Sequence, residues 1–133
     1  SVKRDDLKEY IFYMEKSGMI QGLTAPDKGL NLLAKIDKIY LDNTNLMHAL
    51  CGDNCEIGNI RETFFFNQMK VRNTVTSSPA SDFYVNDKYT FEVGGRKKGK
   101  KQIKDVENSY VVKDDIEYAY SNVIPLWAFG LNY

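Results

Sequence analysis

The chain has 133 residues, of which 43% are hydrophobic and 13% aromatic, enough apolar surface for one packed domain or two very small ones. Its 18 basic and 18 acidic residues cancel, but six of the basic residues fall within 96–104, so the rest of the chain is acidic. This distribution excludes a generally basic nucleic-acid coat and allows one directed positive patch. No apolar run is long enough to cross a bilayer, so we expect no membrane partner.

The first segment predicts a helix and a β-ribbon. Residues 4–17 have the apolar spacing of an amphipathic helix, and strand pieces follow at 19–23, 30–34 and 38–41. A helix followed by a ribbon is typical of the second half of a winged-helix module, which binds DNA. The alternative is a helix that packs on a hairpin for support alone, and the acids at its start favour this alternative. Because the chain begins at Ser1 and enters a helix at once, we expect a piece of a longer protein.

A second helix is predicted at 45–50, with an N-cap among residues 42–44. His48, Cys51 and Cys55 near its end offer three ligands for zinc. A structural zinc site needs four ligands, usually in two pairs, so we expect no zinc and two buried or idle thiols. Without a disulfide framework, the expected location is the reducing cytoplasm.

Residues 57–70 give the strongest helix prediction. Its apolar residues cover one side and extend round the helix, so it must be largely buried against a sheet: Ile57, Ile60, Phe64 and Val71, with Phe65, Phe66 and Met69 beside them. Glu62 lies on the flank shared with Phe65 and Met69. Its carboxylate is expected either to form an ion pair with a strand lysine or a capping bond, or to be a third acid of a metal site.

After Asn73 the apolar residues recur at every second position. This spacing predicts strands at 75–77, 82–86, 89–93 and 109–113. One or two helical turns are expected within 97–106, and an apolar tail from Pro125 should dock as a short helix. The order from residue 56 is therefore α, β, β, β, α, β. We predict an α/β (α+β) fold with these strands in one sheet and the 57–70 helix across one face.

Asp82 and Glu92 stand at the start and near the end of two adjacent strands. Carboxylates in that arrangement hold a divalent metal against a phosphate. The element order resembles the core of the restriction-endonuclease-like fold. That resemblance implies that Asp82 and Glu92 are catalytic acids, and that Glu62, Asp82 and Glu92 are candidate Mg²⁺ ligands. In that fold a lysine two residues after the second acid orients or deprotonates water, and here Gly94 stands in its place.

A neighbouring lysine, Lys97 or Lys98, is the candidate replacement, since Gly94-Gly95 allows a sharp turn. The other reading is a degenerate site without nuclease activity. A positive φ at Gly94 would then keep the substitution Gly94→Lys from restoring the activity.

The loop after the Glu92 strand is the candidate nucleic-acid-binding surface. Its six basic residues are Arg96, Lys97, Lys98, Lys100, Lys101 and Lys104. Contact with DNA there would be to phosphates and insensitive to sequence. The simpler interpretation is a solvated loop that balances the acidic body.

A longer resemblance extends over nearly the whole chain. The segments 58–68, 82–83, 91–95, 101–103 and 124–130, with 38–47, resemble the C-terminal region of a prokaryotic, archaeal-type AAA ATPase family of unknown physiological role. The resemblance implies a winged-helix remnant at 1–41, a restriction-endonuclease-like domain at 42–133, and a preceding P-loop ATPase domain. No P-loop motif occurs here, so ATP would enter only through that other domain.

Three classes of function remain open. The first is a non-catalytic, nuclease-like module of the ATPase that binds DNA or a partner protein, favoured by the missing lysine. The second is an active divalent-metal-dependent nuclease, in which another lysine serves. The third is a structural or oligomerisation domain.

Overall fold

The computed structural model describes residues 3–26 and 36–132 as a mixed α/β molecule, which confirms the predicted class. The strand predicted at 30–34 lies outside the described residues. The helices are α1 (Arg4–Lys16), α2 (Thr44–Cys51) and α3 (Ile57–Met69). The strands are β1 (Ile20–Thr24), β2 (Ile36–Leu41), β3 (Val75–Ser77), β4 (Phe83–Val85), β5 (Tyr89–Gly94), β6 (Ser109–Lys113) and β7 (Val123–Pro125). Among these described residues, 3-10 turns cover Gly52–Asn54, Lys101–Ile103 and Leu126–Leu131.

The larger sheet has the order β3-β4-β5-β6-β7. Its first three strands are antiparallel, and β5, β6 and β7 run parallel. A tight turn joins β4 to β5, with Asn86 and Asp87 both at positive φ (53° and 52°), the conformation that type I′ hairpins require. The sequence predicted four of these strands. It missed β7, because Val123 and Ile124 show no alternation of polar and apolar residues and Pro125 begins the predicted apolar tail.

The β1-β2 ribbon packs onto the same core as α3. Leu23 and Tyr40 are buried in one cluster with Phe65, Phe66 and Phe83. The division of the chain after residue 41 stays a prediction, but the ribbon and α3 bury these side chains together. The helix predicted before the ribbon is confirmed as α1, although none of its residues is buried.

The buried face of α3 differs from the expected one. Ile57 and Val71, placed on the core side by the sequence, are 55% and 62% exposed. The core instead receives the neighbouring sector, whose buried members are Thr63, Phe65, Phe66, Asn67 and Met69. The helix is apolar on more than one side, so periodicity alone does not tell which side meets the aromatic rings of the sheet.

The two cysteines form a disulfide, so the prediction of free thiols was wrong. The end of α2 continues into a 3-10 turn, which brings the Cα atoms of Cys51 and Cys55 to 5.2 Å from each other. Within residues 3–26 and 36–132, no group of three His, Cys, Asp or Glu side chains is arranged to hold a metal ion. No helix in that same part of the chain is long and apolar enough to cross a membrane.

Candidate active site

Asp82 and Glu92 lie next to each other on neighbouring strands. Phe83 on β4 pairs with Phe91 on β5, and one further step of this antiparallel register sets Asp82 opposite Glu92. Phe83 and Phe91 both face the core that contains α3. Because side chains alternate along a strand, Asp82 and Glu92 share the opposite face. The register therefore brings the two predicted strand acids together.

Glu92 is almost fully buried, with 1% of its surface exposed. Three side chains satisfy its carboxylate. Lys98 forms an ion pair with one oxygen, and the Ser81 hydroxyl donates to the other. The amide of Gln102 faces the same group, and with its nitrogen on that side it donates to Oε2 at 3.2 Å. A buried charge held in this way loses little of the hydrogen bonding that water would supply.

Lys98 reaches Glu92 by folding back over the end of β5. Its backbone N–H donates to the carbonyl of Gly95 at 2.8 Å, which closes a tight turn after the strand. The aliphatic part of Lys98 then lies on Gly94, where an added Cβ would come within 2.6 Å of the lysine chain. Lys98 thus fills the space that a side chain at position 94 would use.

Gly94 is required for this close approach and not for an unusual backbone angle. Among the described glycines only Gly18 and Gly52 have positive φ, so the expectation of a positive φ at Gly94 was wrong. The absence of a Cβ is what lets the lysine lie on the strand.

Asp82 is held by the backbone of β5. Its Oδ2 accepts a hydrogen bond from the Val93 N–H at 2.8 Å, and its Oδ1 lies 3.9 Å from the Lys38 ammonium. Burial raises the pKa of Asp82, and the charges of Glu62 and Glu92 raise it further, while the Val93 bond and Lys98 oppose the shift. The like charges around Asp82 are thus only partly balanced.

Glu62 joins the site from α3. The Tyr40 hydroxyl donates to its Oε2 at 2.6 Å, and the Lys38 ammonium lies 3.1 Å from the same oxygen. Burial raises the pKa of Tyr40, and the bond to Glu62 adds to this shift. The sequence offered two alternatives for Glu62, a pair with a strand lysine or membership of an acid cluster. The structure combines both, because Lys38 on β2 bridges Glu62 to Asp82.

Lys98 keeps its proton at neutral pH. Burial alone would lower its pKa, but the bond and charge of Glu92, together with the charges of Asp82 and Glu62, outweigh burial, so the pKa of Lys98 is raised. The site therefore has three carboxylates and two ammonium groups. It is close to charge balance, with one negative charge in excess.

The basic loop is divided between the site and the surface. Lys98 turns inward to Glu92, the position that the sequence offered for Lys97 or Lys98, so it is not one of the exposed charges of the loop. Four lysines remain exposed, namely Lys97, Lys100, Lys101 and Lys104. Arg96 is also exposed and lines a separate cleft with Asp114 and Asp115. Only one of the six candidate nucleic-acid-binding residues thus contacts the acids.

Sequence reasoning did not name four polar residues of the site: Lys38, Tyr40, Ser81 and Gln102. Lys38 and Tyr40 come from a different ribbon, and no local pattern connects them with Glu62. Ser81 directly precedes Asp82, so the predicted pairing of the Asp82 and Glu92 strands was the signal that could have placed it beside Glu92. Gln102 follows Lys98 by one helical turn of sequence, a spacing too common to be diagnostic.

The three acids of the site are not arranged to hold a metal ion in this structure, but carboxylate oxygens are the donor type that Mg²⁺ takes. This ion prefers oxygen ligands and is usually held by one or two carboxylates together with substrate phosphates. Glu62, Asp82 and Glu92 supply such oxygens, although Lys38 and Lys98 contact them now. Comparisons of the chain with protein-family models, curated proteins and solved structures find no match.

Proposed function

We propose that this chain is a nuclease-like domain that cleaves phosphodiester bonds of nucleic acid at the site of Glu62, Asp82 and Glu92. The observation that supports this function best is the position of Lys98. Its side chain lies on Gly94 and its ammonium pairs with Glu92. A lysine beside the second strand acid is what the chemistry needs to orient water and to offset phosphate charge.

Each residue has a distinct part in the proposed reaction. Lys98, protonated at neutral pH, holds the oxygen of the attacking water or of the phosphate by charge and hydrogen bonding, and it does not act as the base. The attacking water forms the new P–O bond and loses its proton to solvent, while the P–O bond to the leaving oxygen breaks and that oxygen takes a proton from solvent. Glu92 fixes Lys98, and Ser81 and Gln102 fix Glu92. Glu62, Asp82 and Glu92 are the groups that would hold Mg²⁺. When bound, this ion offsets the charge on the phosphate and makes water a stronger nucleophile.

The sequence-based reason to expect an inactive site was the glycine at position 94. Lys98 removes that reason, because the missing lysine is supplied four residues later. We therefore rank cleavage above passive binding, and cleavage stays a proposal.

A cleavage assay on single- and double-stranded DNA with Mg²⁺ or Mn²⁺ tests the function. We expect Asp82→Asn and Lys98→Met to lower the rate by about 10²-fold or more, the usual size of a positioned acid–base or charge contribution. Lys88→Met is the matched control, since it removes an exposed charge at the other end of β5, outside the basic loop. No metal-dependent cleavage by the unaltered chain, or equal rates for the Lys98 and Lys88 variants, would contradict the proposal.

A second candidate is binding of nucleic acid without cleavage, as a module that delivers or retains DNA. The supporting observation is the group of four exposed loop lysines, none of which pairs with an acid in the described part of the chain. Retained DNA binding in an uncleaving protein would favour this candidate.

On the strength of the resemblance, we also propose a restriction-endonuclease-like core and a place in an AAA-type ATPase. The α3 helix, the antiparallel β3-β4-β5 unit and the parallel β6 strand agree with the expected order. The full-length protein is expected to hydrolyse ATP through its other domain, while this chain alone has no ATPase activity. ATP hydrolysis by the isolated chain would contradict this assignment.

A further inference from the structure

Lys38 lies between two acids that come from different elements. Its ammonium is 3.1 Å from Glu62 Oε2 on α3 and 3.9 Å from Asp82 Oδ1 before β4. Two carboxylates facing one positive charge form the kind of gap in which an ammonium or a divalent cation is stable. Lys38 occupies that gap in this structure.

We propose that Lys38 and a divalent cation are alternative occupants of the gap between Glu62 and Asp82, so that Lys38 sets how tightly the site takes up metal. This inference rests on the proposed function, because it concerns the same site. It adds a residue from the β1-β2 ribbon as the determinant of metal affinity.

The two acids stay oriented when Lys38 leaves. Glu62 keeps the bond from the Tyr40 hydroxyl at 2.6 Å, and Asp82 keeps the bond from the Val93 N–H at 2.8 Å. The bond from Val93 uses Oδ2 of Asp82, so Oδ1, the oxygen that faces Lys38, is open to another cation. Lys38 is therefore not needed to hold these carboxylates in place.

Lys38 is also free to move out of the gap. Nearly half of its side-chain surface, 46%, is exposed, and it stands on β2 at one end of a cleft of about 410 Å³ that Glu62 also lines. An exposed ammonium returns to water at little cost, because surface ion pairs are weak. Glu92 is different, since its partner Lys98 lies on Gly94 and is held there by packing.

Competition follows from charge. Two positive groups cannot share the gap at a separation of a few ångströms, because their repulsion is large at that distance. The metal must therefore displace Lys38, and each binding event carries the cost of breaking two ion pairs. A displaced Lys38 remains on the ribbon beside the site, where its charge faces an incoming phosphate.

Mn²⁺ binding to the chain, measured by water-proton relaxation or electron paramagnetic resonance, tests the inference without any cleavage. We expect Lys38→Met to tighten the Mn²⁺ dissociation constant by about 3- to 10-fold, the size that two partly exposed ion pairs of the displaced ammonium imply. Lys70→Met is the matched control. Lys70 forms an ion pair with Asp42 at 3.1 Å, and this pair lies outside the site. Lys38→Gln replaces Lys38→Met if the latter does not fold by circular dichroism.

The outcomes separate the inference from the proposed function. Equal Mn²⁺ affinity in the unaltered chain and both Lys38 variants overturns the role of Lys38 and leaves the metal site intact. No Mn²⁺ binding by any of these proteins overturns both. Tighter binding in Lys38→Met that is lost in Lys38→Met/Asp82→Asn supports both.

Discussion

Lys98 contacts Glu92 because two local features coincide. The Gly95–Lys98 hydrogen bond reverses the chain directly after β5, and the bare Cα of Gly94 leaves room for the lysine stem. A larger residue at 94 would push this stem away from the strand. The pair Gly94 and Lys98 thus acts as one unit, in which the glycine supplies space and the lysine supplies charge.

Asp82 gives a prediction for the pH dependence of stability. Its pKa is raised above 3.8, so the folded state holds a proton at pH values where the unfolded chain has released it. Its contribution to folding stability therefore falls as pH rises through that window. Asparagine does not titrate, so the unfolding free energy of Asp82→Asn should rise relative to the unaltered chain as pH increases from below the ordinary aspartate pKa to neutral pH.

Urea unfolding at several pH values measures this difference. Asp53→Asn, on the exposed 3-10 turn after α2, is the control for a change of net charge. The groups that face Asp82 are Glu62, Glu92, Lys38 and Lys98, and the sign follows from their combined effect and from burial. An unfolding free energy of Asp82→Asn that falls relative to the unaltered chain as pH rises would show that Asp82 is stabilised as an anion.

At the scale of elements, α3 connects the core to the site. Phe65 on α3 packs against Phe83, Phe91 and Phe129, with ring centroids 5.0, 5.2 and 4.9 Å away. Glu62 is one turn earlier on the same helix. The aromatic contacts therefore fix the rotation of α3 and, with it, the position of the Glu62 carboxylate.

This packing predicts unequal costs along α3. Phe65→Ala leaves a cavity in a fully buried site and should lower the unfolding free energy by about 3–5 kcal/mol. Ile57→Ala, on the exposed side, should change it by about 0.5 kcal/mol or less. Urea titrations measure both changes, provided that the unfolding free energies of the two variants depend on urea concentration with similar slopes. A larger effect at Ile57 than at Phe65 would restore the helix orientation expected from the sequence.

The sequence alone was sufficient to predict the elements that have regular apolar spacing or a glycine at their end. Positions of α1, α3, β5 and β6 were predicted closely, because apolar spacing and glycines mark them. The facing side of α3 was not predictable, since Ile57, Phe64 and Phe65 are all apolar. Lys38 and Tyr40 were missed for another reason, as the contact with Glu62 spans more than twenty residues and depends on how the ribbon packs.

At the scale of the molecule, the acidic body has one positive side, the loop after β5. Lys97, Lys100 and Lys101 are exposed there and close in sequence to the site lysine. Each phosphate that a lysine neutralises on duplex DNA makes the slope of the logarithm of the binding constant against the logarithm of the salt concentration more negative by about 0.9. Removing these lysines should therefore weaken binding at low salt and flatten its salt dependence.

We expect three phosphate contacts to give a log–log salt slope of roughly −3 for duplex DNA, with dissociation constants of about 10⁻⁴ to 10⁻⁶ M. Changing Lys97, Lys100 and Lys101 to alanine should bring the slope towards zero. The matched control changes Lys3, Lys8 and Lys16, which lie on or before α1, and should keep the slope. Fluorescence anisotropy across a salt titration measures both, and equal slopes would exclude the loop as the DNA-binding surface.

The most direct test of the proposed site places the lysine at position 94, two residues after Glu92, instead of at position 98. Lys98→Gly should lower metal-dependent DNA cleavage by about 10²-fold, and the double variant Gly94→Lys/Lys98→Gly should recover part of it. Glycine at 98 is needed in the double variant, because a Cβ added at 94 would lie 2.8 Å from the Cβ of Lys98 as well as 2.6 Å from its stem; Gly94→Lys alone should therefore destabilise the fold. A folded double variant as inactive as Lys98→Gly, or a Lys98→Gly variant with full activity, would contradict the assignment of Lys98 as the lysine of the site.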